Sequence, residues 1–276
     1  MEFSAAHRGV RATVATGGSV DGARAAADPE STPDVFVSAD DTIISVWLVP
    51  RTAGWWARIA YSTLVLAFPD RAQGASEITS ANWVDVLLRP GVHGGRGDPA
   101  GDPGAYRSIL LFELAERYYH RPGLADSLER AVPAIDLGTG GARTQAAMFA
   151  DGRLDYMAMY RPSAASHGLR WIELPPQVNL GDSAFASGYA TARVRLPGRL
   201  AGVPDSVEIV GSRIGYGLTV PKGAPHRAVA EAFAAFVVSA HGRAGIQDAG
   251  FDVPDRVTFH GPERPPATVA AGARAP

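Results

Sequence analysis

The sequence predicts an α/β protein, and two observations support this fold class. Short apolar segments alternate along the chain with longer segments of helical spacing, and glycine or proline separates them. Apolar residues make up 46% of the chain and charged residues 20%, which is typical of a globular protein with a packed core. Because alternation of this kind is typical of strand–helix–strand crossover units, we expect mainly parallel sheets.

Five segments have the length and composition of strands. Each is a short run of mainly apolar residues, and proline ends the third and the fifth because it cannot donate a ladder hydrogen bond. In chain order these segments are residues 10–15, 33–40, 64–68, 155–160 and 214–221.

Four segments have helical spacing of their apolar residues. They are residues 82–88, 109–119, 227–238 and 241–248, and proline or glycine follows each of the first two. A turn-rich stretch with six glycines, residues 91–104, precedes the second helix. From about Pro254 the apolar periodicity is lost, which predicts a frayed or linking tail.

Composition excludes several function classes. The formal net charge is −2, so no basic excess attracts nucleic acid or an anionic membrane. Cysteine is absent, which excludes disulfides, thiolate chemistry and zinc sites built from cysteine. No run of 18 apolar residues indicates a membrane span, and the first residues lack the layout of a signal peptide.

A series of short motifs runs in order from about Val10 to Gly250. They are Gly17-Gly18-Ser19, Asp34-Val35-Phe36-Val37-Ser38-Ala39-Asp40, Asn82-Trp83, Leu87-Leu88-Arg89-Pro90, Asp102-Pro103-Gly104-Ala105-Tyr106-Arg107-Ser108, Asp155-Tyr156 with Tyr160, Glu173-Leu174-Pro175, Asn179-Leu180-Gly181 and Tyr216-Gly217-Leu218-Thr219-Val220-Pro221-Lys222. Together they resemble the periplasmic substrate-binding proteins of molybdate/tungstate ABC transporters, a type II-like binding-protein family, especially its archaeal-type branch.

The resemblance implies two α/β lobes with a ligand cleft between them. One lobe would combine residues 1–64 with 214–255, the other would be residues 69–210, and residues 256–276 would form a flexible tail. The family begins with a strand and a ligand serine that have no counterpart before residue 1. We expect either a start codon assigned too late or a truncated chain.

The resemblance also implies the ligand-binding residues Ser19, Asp102, Gly104, Ala105 and Tyr160. A tetrahedral dianion needs many hydrogen-bond donors, and serine hydroxyls and amides at helix N-termini supply them. Two structural alternatives stay open, because Ser19 could be an ordinary N-cap and Asp102 could cap the helix that follows it.

Asp102 also matches an aspartate that can bind the molybdenum or tungsten atom directly, with a glutamate from the other side of the site. Met159 stands at the position of that glutamate, so we expect a four-coordinate anion held by hydrogen bonds. The motif position of Arg107 suggests a role in packing rather than direct ligand contact.

The function implied is the capture of molybdate or tungstate outside the cytoplasm for an ABC permease and its ATPase. We expect a monomer that needs no cofactor and binds no nucleic acid. No His-x-x-x-His pair and no Gly-x-Ser-x-Gly elbow occurs, so we predict no enzymatic activity. The alternatives are a degenerate or truncated member that acts as a sensor, and a binder of another anion such as sulfate or phosphate.

Overall fold

The computed structural model describes residues 2–137, 142–197 and 204–274. The helices in these ranges are α1 (Glu2–Ala6), α2 (Ser19–Ala27), α3 (Asp41–Ile43, continued by a π-helical turn at Ile44–Leu48), α4 (Trp83–Leu87), α5 (Pro103–Tyr118), α6 (Leu124–Ala131), α7 (Ala142–Asp151), α8 (Arg161–Ser166), α9 (Ala186–Tyr189, preceded by a 3-10 turn at Ser183–Phe185), α10 (Arg227–Val238), α11 (Ala240–Asp248) and α12 (Ala267–Gly272). The strands are β1 (Phe36–Ser38), β2 (Trp56–Tyr61), β3 (Leu64–Phe68), β4 (Met157–Tyr160), β5 (Arg170–Glu173), β6 (Arg193–Pro197), β7 (Ser206–Val210), β8 (Gly215–Thr219) and β9 (Thr258–His260).

The chain divides into two compact units. Unit 1 consists of Met1–Ala60 and Gly215–Pro276, and unit 2 is the continuous segment Tyr61–Ile214. The chain therefore passes from unit 1 to unit 2 after Ala60 and returns after Ile214.

Unit 1 contains a four-stranded sheet with the order β1-β8-β2-β9. β1 and β8 are antiparallel with Phe36 opposite Thr219, and β2 and β9 are antiparallel with Trp56 opposite His260. Residues of the strands and of one face of α10 form a common hydrophobic core, and α12 contributes one apolar side chain to it. Its fully buried members include Ala57, Leu218, Ala234, Val238 and Val269.

Unit 2 contains a three-stranded sheet with the order β4-β3-β5 and a two-stranded ribbon of β6 and β7. All five residues of β3 and all four of β4 are buried, which explains why these strands read as continuous apolar runs rather than as alternating ones. α5 is the longest helix of the unit and buries ten of its sixteen residues.

The expectation of mainly parallel sheets is wrong for the described strands. β1–β8, β2–β9, β3–β4, β3–β5 and β6–β7 are all antiparallel pairs. Parallel pairing occurs at two isolated bridges, Gly94–Tyr156 and Arg96–Ala134. Apolar patterning identifies a buried strand but carries no information on its direction, which depends on where the intervening helices return the chain.

Two local expectations also differ from the structure. Residues 10–15 have a strand-like pattern, but they belong to no described strand, and Val14 is 85% exposed. In the segment assigned to a flexible tail, residues 256–276, the structure contains β9 and α12, and Val269 is fully buried. A six-residue helix with one buried side chain has too little periodicity to be recognised from sequence.

Several elements agree with the sequence analysis. β3 occupies Leu64–Phe68 and α10 occupies Arg227–Val238, both at the expected bounds. Helices at 82–88 and 109–119 are confirmed as α4 and α5, although α5 begins six residues earlier than its apolar pattern, at Pro103. Among the described helices, none has both the length and the apolar character needed to cross a lipid bilayer.

Candidate functional site

The N-terminus of α5 holds three of the five predicted site residues. Asp102 is the N-cap, and its Oδ1 accepts a hydrogen bond from the Gly104 N–H at 3.0 Å. The backbone carbonyl of Asp102 accepts the Ala105 N–H at 3.1 Å. Pro103 occupies the first helical position, where its missing N–H costs nothing.

This geometry confirms that Asp102 caps its helix. The carboxylate lies where the helix dipole and the first-turn amides favour a negative charge, which is also where an external anion would be attracted. The N–H groups of Gly104 and Ala105 donate within the cap, so an anion can receive the Gly104 N–H only if the Asp102 carboxylate releases it. Capping and direct ligand binding by these residues are therefore competing states.

Arg107 and Tyr160 form a buried pair in the same unit. Arg107 lies one turn further along α5 and is 2% exposed, whereas Tyr160 ends β4 and is 7% exposed. The Arg107 Nη1 donates to the Tyr160 Oη at 2.6 Å, and the guanidinium carbon lies 5.6 Å from the tyrosine ring centroid. A charge-assisted hydrogen bond of this length fixes the position of the hydroxyl. The motif position of Arg107 predicts a packing role, and the structure adds this specific partner.

Met159 lies in the core of unit 2. It is 5% exposed, its backbone pairs with Val65, and it belongs to a buried cluster with Met157 and Phe149. A thioether in this apolar setting supplies no charged oxygen ligand to an anion.

Ser19, the remaining predicted residue, lies in unit 1. It is the first residue of α2, whose N-cap is Gly18, so Ser19 is not the N-cap serine of the structural alternative. Its side chain is buried, and its Oγ accepts the Ala39 N–H at 2.9 Å. Ser19 thus ties the start of α2 to the turn that follows β1.

Two buried aspartates near this turn have structural roles that the sequence did not predict. Asp40 caps α3 by accepting the Thr42 N–H at 2.8 Å, and the Asp41 carboxylate pairs with the Arg58 guanidinium at 2.5 Å. Gly215 permits this pair, since a Cβ there would lie 2.6 Å from the Asp41 Oδ2. The signal was present as two consecutive aspartates after an apolar strand, but the partner Arg58 lies 17 residues away.

Asp155 and Tyr156, which belong to one of the quoted motifs, have structural roles. Asp155 accepts the His93 N–H at 2.9 Å, and the Tyr156 hydroxyl donates to the Gln73 carbonyl at 2.8 Å. Burial raises the pKa of Tyr156 to about 12, so the phenol keeps its proton, and this donor, well into the alkaline range.

No group of three or more His, Asp or Glu side chains in the described parts of the chain is arranged to hold a metal ion. What unit 2 offers instead is a cation, a phenolic hydroxyl and a helix N-terminus. Groups of these types can bind an anion by hydrogen bonding and charge.

Two solved structures share the fold. The sulfate-binding protein SubI from Mycobacterium tuberculosis superposes with a TM-score of 0.64 at 18% identity, over 99% of this chain and 84% of that one. The periplasmic molybdate-binding protein of Azotobacter vinelandii gives a TM-score of 0.61 at 17% identity, over 92% of each chain. These likenesses confirm the expected class, the two-lobed α/β fold of periplasmic binding proteins.

Sequence comparison specifies the family. A model of the bacterial extracellular solute-binding proteins matches residues 1–252, and the chain belongs to this family. A solute-binding protein of Petrotoga mobilis is 34% identical over 84% of this chain and 72% of its own length. The molybdate/tungstate-binding protein WtpA of Pyrococcus abyssi is 29% identical over 82% of this chain and 70% of its own. The resemblance deduced from the motifs is thereby confirmed.

Proposed function

We propose that this solute-binding protein captures molybdate or tungstate outside the cytoplasm and delivers it to the permease and ATPase of an ABC importer. Support for the ligand comes from the relative named for molybdate and tungstate and from the motifs shared with that family. The protein acts as a monomer, uses no cofactor and binds no nucleic acid. Size-exclusion chromatography with light scattering tests whether the protein is a monomer in solution.

One observation carries the proposal: the buried Arg107 guanidinium holds the Tyr160 hydroxyl at 2.6 Å within the second turn of α5. A dianion leaving water loses a large hydration energy, so it needs charge-assisted donors that are already ordered. We propose that Tyr160 is one such donor and that Ser19 supplies another from unit 1. Asp102, Gly104 and Ala105 contribute through the N-terminus of α5.

Met159 favours a second candidate, sulfate. With a thioether at the position of the family's glutamate, the ligand keeps four oxygen neighbours and is held by hydrogen bonds alone. Sulfate offers the same charge and the same number of oxygens, so size is the main difference from molybdate. A ligand-free sensor would bind none of these anions.

Thermal unfolding tests the proposal with no anion and with molybdate, tungstate, sulfate or phosphate at about 1 mM. A ligand with a Kd of about 1 μM would stabilise the folded state by about 4 kcal/mol. We expect a large shift with molybdate or tungstate and none with sulfate. A shift with sulfate alone selects the second candidate, and no shift with any anion contradicts the proposal.

Variants assign the site in the same assay and by calorimetry. Ser19→Ala and Tyr160→Phe should each weaken anion binding, because each removes one donor. His226→Ala is the matched control, since His226 is exposed and its imidazole faces Asp34 at 3.2 Å. Equal affinity in the wild type and both site variants would remove these residues from the site.

A further inference from the structure

The C-terminal part of unit 1 forms an open cavity at its surface, and this cavity lies outside the family match. The family model ends at residue 252, and every residue that lines this cavity follows that position. Its volume is about 830 Å³. The lining residues are Arg256, Val257, Phe259, Arg264, Pro265, Ala270, Ala273 and Arg274.

Three arginines line this cavity, each of them exposed to solvent, and none has a neutralising partner in the described part of the chain. Among the described residues, the guanidinium groups of Arg256, Arg264 and Arg274 form no ion pair and no hydrogen bond. The nearby carboxylate of Glu263 is engaged elsewhere, because it pairs with the Lys222 Nζ at 2.8 Å. Solvent screens the repulsion among three exposed like charges, and an anion placed between them would gain from its attraction to all three.

The rest of the lining is apolar and held in place. Val257, Phe259 and Ala273 pack against the core of unit 1, and the ring of Phe259 meets that of Trp55 edge to face at 6.1 Å. The volume lies within the range of about 300–1,000 Å³ that is typical of small-molecule sites, which also combine an apolar lining with a few charged groups.

We infer that this cavity binds a small organic anion, one with an apolar body and two or more carboxylate, sulfonate or phosphate groups. The apolar body covers the floor formed by Val257, Phe259 and Ala273, and the acidic groups pair with the guanidinium groups. An inorganic oxyanion lacks the apolar body, so this site is distinct in its chemistry from the proposed molybdate or tungstate site.

The test uses the full chain and the disulfonated aromatic probe bis-ANS, with binding followed by fluorescence and calorimetry. The neutral dye N-phenyl-1-naphthylamine serves as the uncharged comparison, and vesicles of phosphatidylglycerol test for a membrane surface. Arg256→Gln/Arg264→Gln/Arg274→Gln removes the three charges. The matched control is Arg8→Gln/Arg11→Gln/Arg195→Gln, which changes three exposed arginines outside the cavity by the same net charge.

We expect saturable binding of one bis-ANS per chain, weakened about tenfold or more by the cavity triple variant and within about twofold of wild type in the control. The neutral dye should bind at least about tenfold more weakly than bis-ANS. Ala270→Phe, which fills the cavity and keeps all three arginines, should weaken bis-ANS binding as well.

Three results would overturn the inference. The first is equal weakening in the cavity and control triples, which would indicate bulk charge. The second is unchanged bis-ANS binding in both the cavity triple and Ala270→Phe. The third is attachment to phosphatidylglycerol vesicles without saturable bis-ANS binding. Thermal unfolding of each variant verifies that it is folded before binding is compared.

Discussion

Arg107 is 2% exposed in a helix whose inward face is otherwise mainly apolar. A guanidinium stays charged at every accessible pH, so its burial is tolerated only where polar groups or aromatic faces surround it. Tyr160 offers both, an acceptor oxygen at 2.6 Å and a ring at 5.6 Å. The same contact that stabilises the arginine therefore orders the tyrosine hydroxyl.

The Arg107–Tyr160 contact leads to a prediction on stability and affinity together. Tyr160→Phe leaves a buried guanidinium N–H without its acceptor, so we expect a loss of about 2 kcal/mol in the free energy of unfolding, measured in urea.

If Arg107 acts on the anion through the hydroxyl, the affinity losses of Arg107→Met and Tyr160→Phe are not additive in a double-mutant cycle.

Arg117→Met is the control for this cycle, because Arg117 lies in the same helix but is exposed and pairs with Glu113. It should leave anion affinity unchanged. Fully additive losses at Arg107 and Tyr160 would show that the arginine does not act through the tyrosine.

His260 gives the protein a pH-dependent contribution to stability. Burial, and secondarily the charge of Arg58, lowers the pKa of His260 below its ordinary value, and the ring stacks on Trp56 at 4.2 Å. The folded state therefore favours the neutral imidazole. This contribution is complete above the unfolded-state pKa of about 6.5 and is lost as the pH falls through the lower folded-state pKa.

We expect the free energy of unfolding to fall more steeply between pH 7.5 and pH 5 in the wild type than in His260→Gln, which has no titrating ring. Urea unfolding at a series of pH values measures both slopes. Parallel slopes in the two proteins would mean that His260 does not titrate differently on unfolding.

At the scale of elements, the N-terminus of α5 combines a structural cap with a candidate anion site. Asp102→Ala removes the acceptor of the Gly104 N–H and should cost about 1 kcal/mol of stability. Asp102→Asn keeps an oxygen acceptor but removes the charge, so its stability should stay within a few tenths of a kcal/mol of the wild type.

The two variants separate the roles of Asp102 when anion affinity is measured by calorimetry. If the carboxylate competes with the anion, Asp102→Asn binds more tightly than the wild type. If the carboxylate binds the molybdenum or tungsten atom directly, Asp102→Asn binds more weakly although its helix remains capped. An affinity equal to that of the wild type would exclude both roles.

The strands show how far element prediction extends. The sequence predicts β3 at its observed bounds because it contains five consecutive apolar residues. Such a run is typical of a strand with both faces buried, and all five residues are buried in the structure. Residues 10–15 are also mainly apolar, although they include Arg11 and Thr13, and they form no described strand, since a strand requires hydrogen bonds from a neighbouring one. Local pattern predicts the capacity to form a strand, and pairing decides whether it forms.

At the scale of the whole molecule, the two units differ in how the chain builds them. The sheet of unit 1 takes β1 and β2 from the N-terminal segment and β8 and β9 from the C-terminal segment, in the interleaved order β1-β8-β2-β9. Unit 2 is continuous, and its two ends meet: the Ser62 N–H donates to the Ile214 carbonyl at 3.2 Å, and the Arg213 guanidinium lies 3.7 Å from the Tyr61 ring centroid.

We therefore expect residues 61–214, produced alone, to unfold cooperatively on heating, as followed by circular dichroism. Residues 1–60 alone should remain unfolded, because β8 separates β1 from β2 in the sheet order and neither strand has its native neighbour without it. A non-cooperative signal from the 61–214 fragment would contradict the independence of unit 2.

The sequence alone predicts the fold class, the family and four of the twelve described helices, and it offers Asp102 as a cap for α5, because these features depend on local periodicity, turn residues and motif order. The folded structure is needed to establish strand direction, the pairing of Asp41 with Arg58 and of Arg107 with Tyr160, and the cavity formed after residue 252. Arg107 and Tyr160 are 53 positions apart in the sequence. Residues that far apart come into contact only when helices pack on sheets and bring the two ends of the intervening segment together.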